Sequence, residues 1–492
     1  MVAGRRSEGV LDARSEGRIV LAAAVLAAIL FGSLALLRHW TFHSTASDLA
    51  VFDQVLWNTN HGRFMESTLS LARCVPHSFF GDHFSPALLL ILPLYAVVPR
   101  AETLLVVQTI ALALGVWPIH LLARRFLPTR GQRLVWVAAY VLSAPLSFIA
   151  LYDFHEITLA VAPLGFAMYF LATRRTLPMI LCLVVALLAK EEVALIGIGF
   201  GLALAFQRRW RASAVVIVGS VVAFVVTLKV IIPAFAAGAP YQYLGRYASL
   251  GSDEFEIART LLLDPLRALA VLGKGEVGSK VVFILSLFGP GLGLALRSKW
   301  ALVPSVIPLG YLMLSDYGGQ HTLHNQYGAP LIPLALGASI LGVAALGDRW
   351  RRRVTRGAVL STLFLAFTFG GLPFSLNFAD AFLRGEPDRA PSGEPTLARE
   401  SRYEPFLVAV RAIPADAAVS SRDFFTTQIP QRRFNYNLVG LDPCDAQYVI
   451  LDYAAPTVNR DVATHLAEVE AVKQLGFDEI ASGQGLSLLR RR

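Results

Sequence analysis

H-F-S-P-A-L-L-L-I-L-P-L-Y-A-V-V, residues 83–98, is the stretch on which the topology turns. It is apolar enough to enter a bilayer. It offers only about 15 residues where a spanning helix needs about 20, and Pro86 and Pro93 interrupt it. We read it as a juxtamembrane helix, 84–98, lying in the interface. Working outward, eleven other apolar stretches read as transmembrane helices: 18–38, 102–123, 132–150, 157–172, 177–190, 191–207, 213–233, 279–297, 300–315, 328–347 and 355–377. The arginines arbitrate. Arg5, Arg6, Arg14 and Arg18 mark a cytoplasmic N-terminus, 1–17. The groups around Arg124 to Arg133, Arg174, Arg208, Arg297 and Arg349 to Arg356 should share that side. They all do so only if 84–98 does not cross. The outer loop 39–83, the 153–156 turn, the 234–278 loop, the 316–327 turn and the C-terminus then share the outer face.

Composition agrees with this threading. Hydrophobic residues make up 55% and charged residues 16%, with a mean hydropathy of +0.55. A soluble chain carries nearer a quarter charged residues. The basic N-terminus is not followed by a cleavage site, so the first apolar run reads as a helix and not as a signal peptide. The net charge of +9 reflects arginines at helix ends, and nucleic acid is not an expected partner. The fold class expected is an all-α polytopic membrane protein, with a small C-terminal α/β domain outside the membrane. Residues 378–402, rich in Pro, Gly and charge, read as a linker. Residues 403–492 read as the domain, with strands at 417–420, 447–452 and 486–489 and a helix at 457–475. No internal repeat is visible. Cys74, Cys182 and Cys444 lack metal-ligand spacing. Cys182 lies within an apolar helix. Cys74 and Cys444 share the oxidising outer face, where a disulfide can form, although nothing in the sequence brings them together.

Polar residues interrupt the outer segments. Asp48 and Asp53 follow the first helix, each a catalytic candidate or an ordinary loop carboxylate. Trp57, Asn58, His61 and Arg63 suit a sugar or phosphate headgroup, and equally an interfacial belt. Asp82 and His83 suit a base, a metal ligand or a helix cap. Asp153, His155 and Glu156 would bind substrate or a divalent cation, or simply satisfy a short loop. Lys190 and Glu191 break a long apolar run, where Lys190 would neutralise a phosphate or simply pair with Glu191. Arg246, beside Tyr243 and Tyr247, and the group His321, His324 and Tyr327 complete the binding candidates. No Walker, dinucleotide, HExxH or nucleophile-elbow motif is present. A metal requirement is not specified.

The segments S-D-L-A-V-F-D-Q-V-L-W-N (47–58) and G-D-H-F-S-P-A-L-L-L-I-L-P-L-Y (81–95) carry a resemblance. So do D-F-H-E (153–156), A-K-E-E (189–192), Y-G-A-P-L-I-P (327–333), A-D-A-A-V-S (415–420) and A-Q-Y-V-I-L-D (446–452). Together they resemble a family of bacterial and archaeal multi-pass membrane proteins of unknown function. That family is similar to the GT-C-type glycosyltransferases, which include protein mannosyltransferases and the aminoarabinose transferase of lipid A. The resemblance implies a polyprenyl-phosphate-linked sugar donor, an acceptor that is a glycan, lipid or protein, and chemistry on the outer face. It also implies that an acidic residue in the first outer loop serves the acceptor. Asp48 matches that position, although the Asp-Glu pair of many mannosyltransferases is missing.

The expected function is therefore an inverting, lipid-linked-sugar-dependent glycosyltransferase of the cytoplasmic membrane. Asp48 would be the base, and Lys190, Arg246 or His324 would stabilise the departing phosphate. A transporter or lipid flippase is the main rival. It would place polar residues near mid-membrane, whereas these cluster on one face. A non-catalytic scaffold presenting the tail domain is the third reading.

Overall fold

The computed structural model describes residues 2–70, 74–378, 403–452, 462–483 and 485–492. The linker expected at 378–402 lies almost wholly outside them, as does the start of the helix expected at 457–475. The first helix, α1 (Val2–Trp40), carries the first apolar run. The chain then turns through a π-type turn, Ala46–Ala50, into α2 (Val51–Asn60). Gly62, at φ +78°, follows the end of α2 in a conformation that glycine adopts without the usual Cβ penalty. Two short antiparallel strands, β1 (Glu66–Ser67) and β2 (His77–Ser78), close the outer loop. Gly81 passes so close to the backbone of Phe235 that a Cβ there would collide with it.

Residues expected to lie along the interface form α3 (Ala87–Val97). Ala87, Leu88, Ile91 and Tyr95 are buried on one side, while Leu90, Leu94 and Val97 are exposed on the other. Each of the eleven apolar stretches contains helix. Among the described residues, however, only four helices are long and apolar enough to cross a membrane: Arg14–Trp40, Ala101–Phe126, Trp210–Phe235 and Gln326–Ala344. Arg130–Val141 with Ala144–Leu151, bent by 41°, would make a fifth. Glu156–Ala172, Thr176–Leu187, Val193–Phe206 and Val277–Gly291 are shorter. A helix of 12 residues, such as Thr176–Leu187, rises only about 18 Å against a hydrocarbon core of about 30 Å.

The main core lies between these helices and includes Phe31, Trp136, Tyr140, Phe200 and Phe283. A second cluster packs α2 and α3 against Leu104 and Phe154. The C-terminal region forms one five-stranded sheet from β3 (Val419–Ser421), β4 (Asn435–Asn437), β5 (Tyr448–Asp452), β6 (Phe477–Gly483) and β7 (Leu486–Arg491), ordered β4-β3-β5-β7-β6. β3 runs parallel to β4 and β5, and the other pairs are antiparallel. The expected strands match β3, β5 and β7, and the helix Val462–Gln474 falls where one was expected. The reading missed β4 and β6.

The sheet region is fastened to the outer loop. Phe42, just past α1, packs with Tyr403 and Phe425 at ring separations of 4.6 and 5.7 Å. The buried Gln54 amide donates to the Arg433 carbonyl at 3.0 Å. Thr68 Oγ1 donates to the Asn435 carbonyl. Cys74 and Cys444 are joined by a disulfide, their Cα atoms 5.3 Å apart. Cys182 is free.

Candidate functional site

A polar cavity of about 530 Å³ opens where the outer loop, the 153–156 turn, the 190–192 turn, the 242–246 segment and β4 meet. Asp48, Asp82, His83, His155, Glu156, Lys190, Arg246 and Tyr327 all line it.

Asp48 is held by three side chains, one local and two distant. His155 Nε2 donates to its Oδ1 at 2.9 Å, and Thr45 Oγ1 and Tyr152 OH each lie 3.0 Å from its Oδ2. Burial alone would push the carboxyl up, but the His155 charge and these donors outweigh it and hold Asp48 below its ordinary value. His155 Nδ1 faces the Asp153 carbonyl at 3.0 Å. Both ring nitrogens therefore meet acceptors, which suits an imidazolium. Burial opposes that charge, yet Asp48 outweighs it and raises the His155 value. Asp153 sits behind this pair. Its Oδ1 accepts from Arg38 at 2.7 Å and its Oδ2 from the Thr45 backbone at 2.7 Å. Asp153 thus positions the Asp48 loop from beneath the cavity.

Lys190 Nζ lies 3.0 Å from Glu156 Oε1, both nearly fully buried. His83 Nδ1 donates to Glu191 Oε1 at 2.8 Å, and the Phe84 N–H donates to Oε2 at 3.1 Å. Tyr243 donates to Asp82 at 2.7 Å and stacks on His83 at 4.4 Å. Arg246 is caged by the rings of Tyr243, Tyr317 and Tyr327 at 4.5, 5.0 and 5.4 Å. It has no carboxylate partner among the described residues.

A second, apolar groove of about 510 Å³ abuts the cavity. Leu195, Phe224, Leu228, Ile257, Leu261 and Ile307 contribute to its walls. His83, Lys190, Tyr243 and Arg246 belong to both spaces.

Other expected residues stand elsewhere. Asp53 is fully buried and receives the Tyr95 hydroxyl, which ties α3 to α2. It borders a separate cavity of about 280 Å³ with Arg100, Glu102 and Gln431. Trp57, Asn58, His61 and Arg63 satisfy one another at the end of α2. Arg63 donates to Asn58 at 2.8 Å, His61 Nδ1 meets the Trp57 carbonyl at 2.7 Å, and Trp57 packs on His61 at 4.1 Å. His321 is buried away from the cavity. His324 packs edge-on against Phe148 at 4.5 Å, and burial pushes its imidazole down to about 4. His324 is not among the residues that line the cavity. The groups considered for a divalent cation also diverge: Asp153 turns to Arg38, His155 to Asp48 and Glu156 to Lys190. Among the described residues, ligand atoms of three such groups converge only at Cys74, Asp442 and Cys444, the disulfide and its neighbour. Sequence reasoning overlooked Tyr152 and Asn437. Tyr152 precedes the D-F-H-E turn and was within reach of it. Asn437 carried no signal.

The model of a family described as predicted membrane protein (DUF2079) matches residues 38–488. The chain belongs to that family. No curated protein matches it. Among solved structures, this DUF2079 chain is similar to ArnT from Cupriavidus metallidurans in the apo state. The likeness has 12% identity and a TM-score of 0.52, covering 95% of this chain and 98% of that one. At this identity the likeness shows the fold alone, which is that of ArnT.

Proposed function

We propose that this DUF2079 protein is an integral-membrane glycosyltransferase that moves a sugar from a polyprenyl-phosphate carrier to an acceptor on the outer face of the cytoplasmic membrane. The observation that carries the reading is the junction of polar cavity and apolar groove at His83, Lys190, Tyr243 and Arg246. An amphiphile with an anionic link between an apolar tail and a polar head is the ligand such a junction fits. The groove would take prenyl chain, the unpaired Arg246 the phosphate, and the cavity the sugar.

In this scheme the acceptor oxygen bonds to the anomeric carbon while the carbon–oxygen bond to phosphate breaks. The electron pair leaves with the phosphate, where Arg246 offsets the developing charge and Lys190 adds what its pairing with Glu156 leaves. The hydroxyl proton passes to the Asp48 carboxylate. With its value held low, Asp48 accepts that proton only as bond formation makes the hydroxyl acidic. The topology that accompanies this reading has eleven spans, the N-terminus inside, a transmembrane region at 18–377, a linker at 378–402 and residues 403–492 outside.

The test is mass spectrometry of envelope glycans and glycolipids from cells carrying wild-type, Asp48→Asn or no protein. Asp48→Asn keeps size and most hydrogen bonding, and should lower product roughly 10²–10⁴-fold with expression unchanged. Arg246→Gln should weaken binding of decaprenyl phosphate to the purified protein. Product undiminished in Asp48→Asn would remove Asp48 as the base.

A further inference from the structure

We infer that the sheet region completes the reaction cavity as its acceptor wall, and that Asn437 is the residue by which it recognises a neutral, hydroxyl-rich acceptor. The word acceptor rests on the transferase reading above; the wall itself does not. Asn437, the last residue of β4, and Val439 just beyond it line the cavity beside Leu69 and Ser70 of the outer loop. These four residues carry no charge, and none of them borders the apolar groove. The cations, by contrast, gather where cavity and groove meet. A carboxamide offers both donor and acceptor without charge, the pairing that sugar hydroxyls use. Leu69 and Val439 offer the apolar contact that the C–H face of a sugar ring takes.

The wall is held by contacts between segments more than 350 residues apart in the chain. Thr68 Oγ1 donates to the Asn435 carbonyl and accepts from the Asn435 N–H at 3.2 Å. Gln54, fully buried, bonds Thr68 with one amide group and the Arg433 carbonyl at 3.0 Å with the same nitrogen. Arg433 pairs with Glu66 at 3.0 Å. The Cys74–Cys444 disulfide then ties the same loop to the turn before β5. All of these fastenings flank the cavity-lining pair Leu69 and Ser70 or its partner Asn437. The disulfide thus works as a staple on the wall.

The full-length protein purified in detergent allows the wall and its role to be tested separately. Amide exchange in residues 63–70 and 435–439 should be slow in the wild type. It should rise about tenfold or more in the Cys74→Ser/Cys444→Ser double variant, with Val193–Phe206 unchanged. Exchange that is fast in the wild type, or identical in the two proteins, would overturn the staple. Asn437→Ala should lower envelope product about 3- to 10-fold, the cost of one neutral hydrogen bond, while its affinity for decaprenyl phosphate stays at the wild-type value. Product at the wild-type level, or an equal loss of decaprenyl phosphate binding, would overturn the recognition role. If decaprenyl phosphate fails to bind even the wild type and Asp48→Asn leaves the envelope unaltered, the transferase reading falls and the acceptor role with it. The exchange result then decides whether the sheet region walls the cavity.

Discussion

Two cations reach the junction of cavity and groove, and their surroundings give them different work. Lys190 is already matched by Glu156 at 3.0 Å, so its charge is largely spent on holding the 190–192 turn against the 153–156 turn. Arg246 rests on tyrosine faces, which orient a guanidinium without neutralising it. Asp53 shows the opposite economy of charge. It is buried with its Oδ2 unpartnered, and burial pushes its carboxyl up to about 7 against the Tyr95 hydroxyl. The sign of the resulting pH dependence follows from proton counting. An unfolded aspartate releases its proton near pH 4 and the folded one near 7. Between those values the folded state holds more protons, so stability falls as pH rises and levels off above 7. Asp53→Asn cannot titrate and keeps the contact with Tyr95. Relative to wild type it should gain stability steadily from about pH 5 to about pH 8, on the order of 2–4 kcal/mol in all. Thermal melts of the two proteins across that range provide the check. A gap between them that does not change with pH would mean that the Asp53 carboxyl is ionised throughout.

Among the elements, α3 has two faces of unlike surroundings. Its inner face is buried, yet Leu90 is 70% exposed and Val97 78%. Exposed leucine and valine in a row on an 11-residue helix fit a lipid-facing stripe at the interface. A nitroxide at position 90, in a Cys182→Ser background, should collide readily with oxygen and poorly with a water-soluble quencher. The reverse pattern would place α3 in water. The character of α3 was legible because length and proline content are local properties. So were β5 and β7, whose apolar residues stand out from their surroundings, and β3, which continues the small apolar run from Ala417. β4 reads N-Y-N, and nothing local marks it as a strand; its pairing with β3 makes it one. The same division runs through the site. The polar interruptions at 48, 83, 155 and 190 were visible, but the pairing of Asp48 with His155 spans 107 residues and exists only in three dimensions. Trp57, Asn58, His61 and Arg63 could be read in two ways. Aromatic, amide and guanidinium side chains suit a sugar, yet their spacing of three to five residues also lets them cap their own helix, and that is what they do. Asn437 was beyond reach, because it comes to line the cavity only through the docking of neighbouring Asn435 on Thr68.

At the scale of the molecule, short helices and a recessed polar site are two aspects of one arrangement. Thr176–Leu187 and Val193–Phe206 have 12 and 14 residues, which at 1.5 Å per residue rise roughly 18 and 21 Å. If arginines 174, 175, 208 and 209 hold their inner ends at the cytoplasmic surface, the turn bearing Lys190 cannot reach the outer surface of a core about 30 Å thick. It stops below, and the cavity roof is supplied by the outer loop, the 153–156 turn and the sheet region. Such a recess would bring a lipid-borne phosphate and an external acceptor to the same depth. A pair of helices too short to span would be hard to explain if 84–98 were itself a crossing, because every later arginine group would then face outward. Reporter fusions after Arg130 and after Arg402 separate the cases. With α3 in the interface and an odd number of crossings between the two points, the first reporter should be active only in the cytoplasm and the second only outside. A first reporter active only outside and a second only in the cytoplasm would make 84–98 a crossing, and reporters on the same side would break the threading; in either case the recessed site at Lys190 would lose the membrane geometry on which it depends.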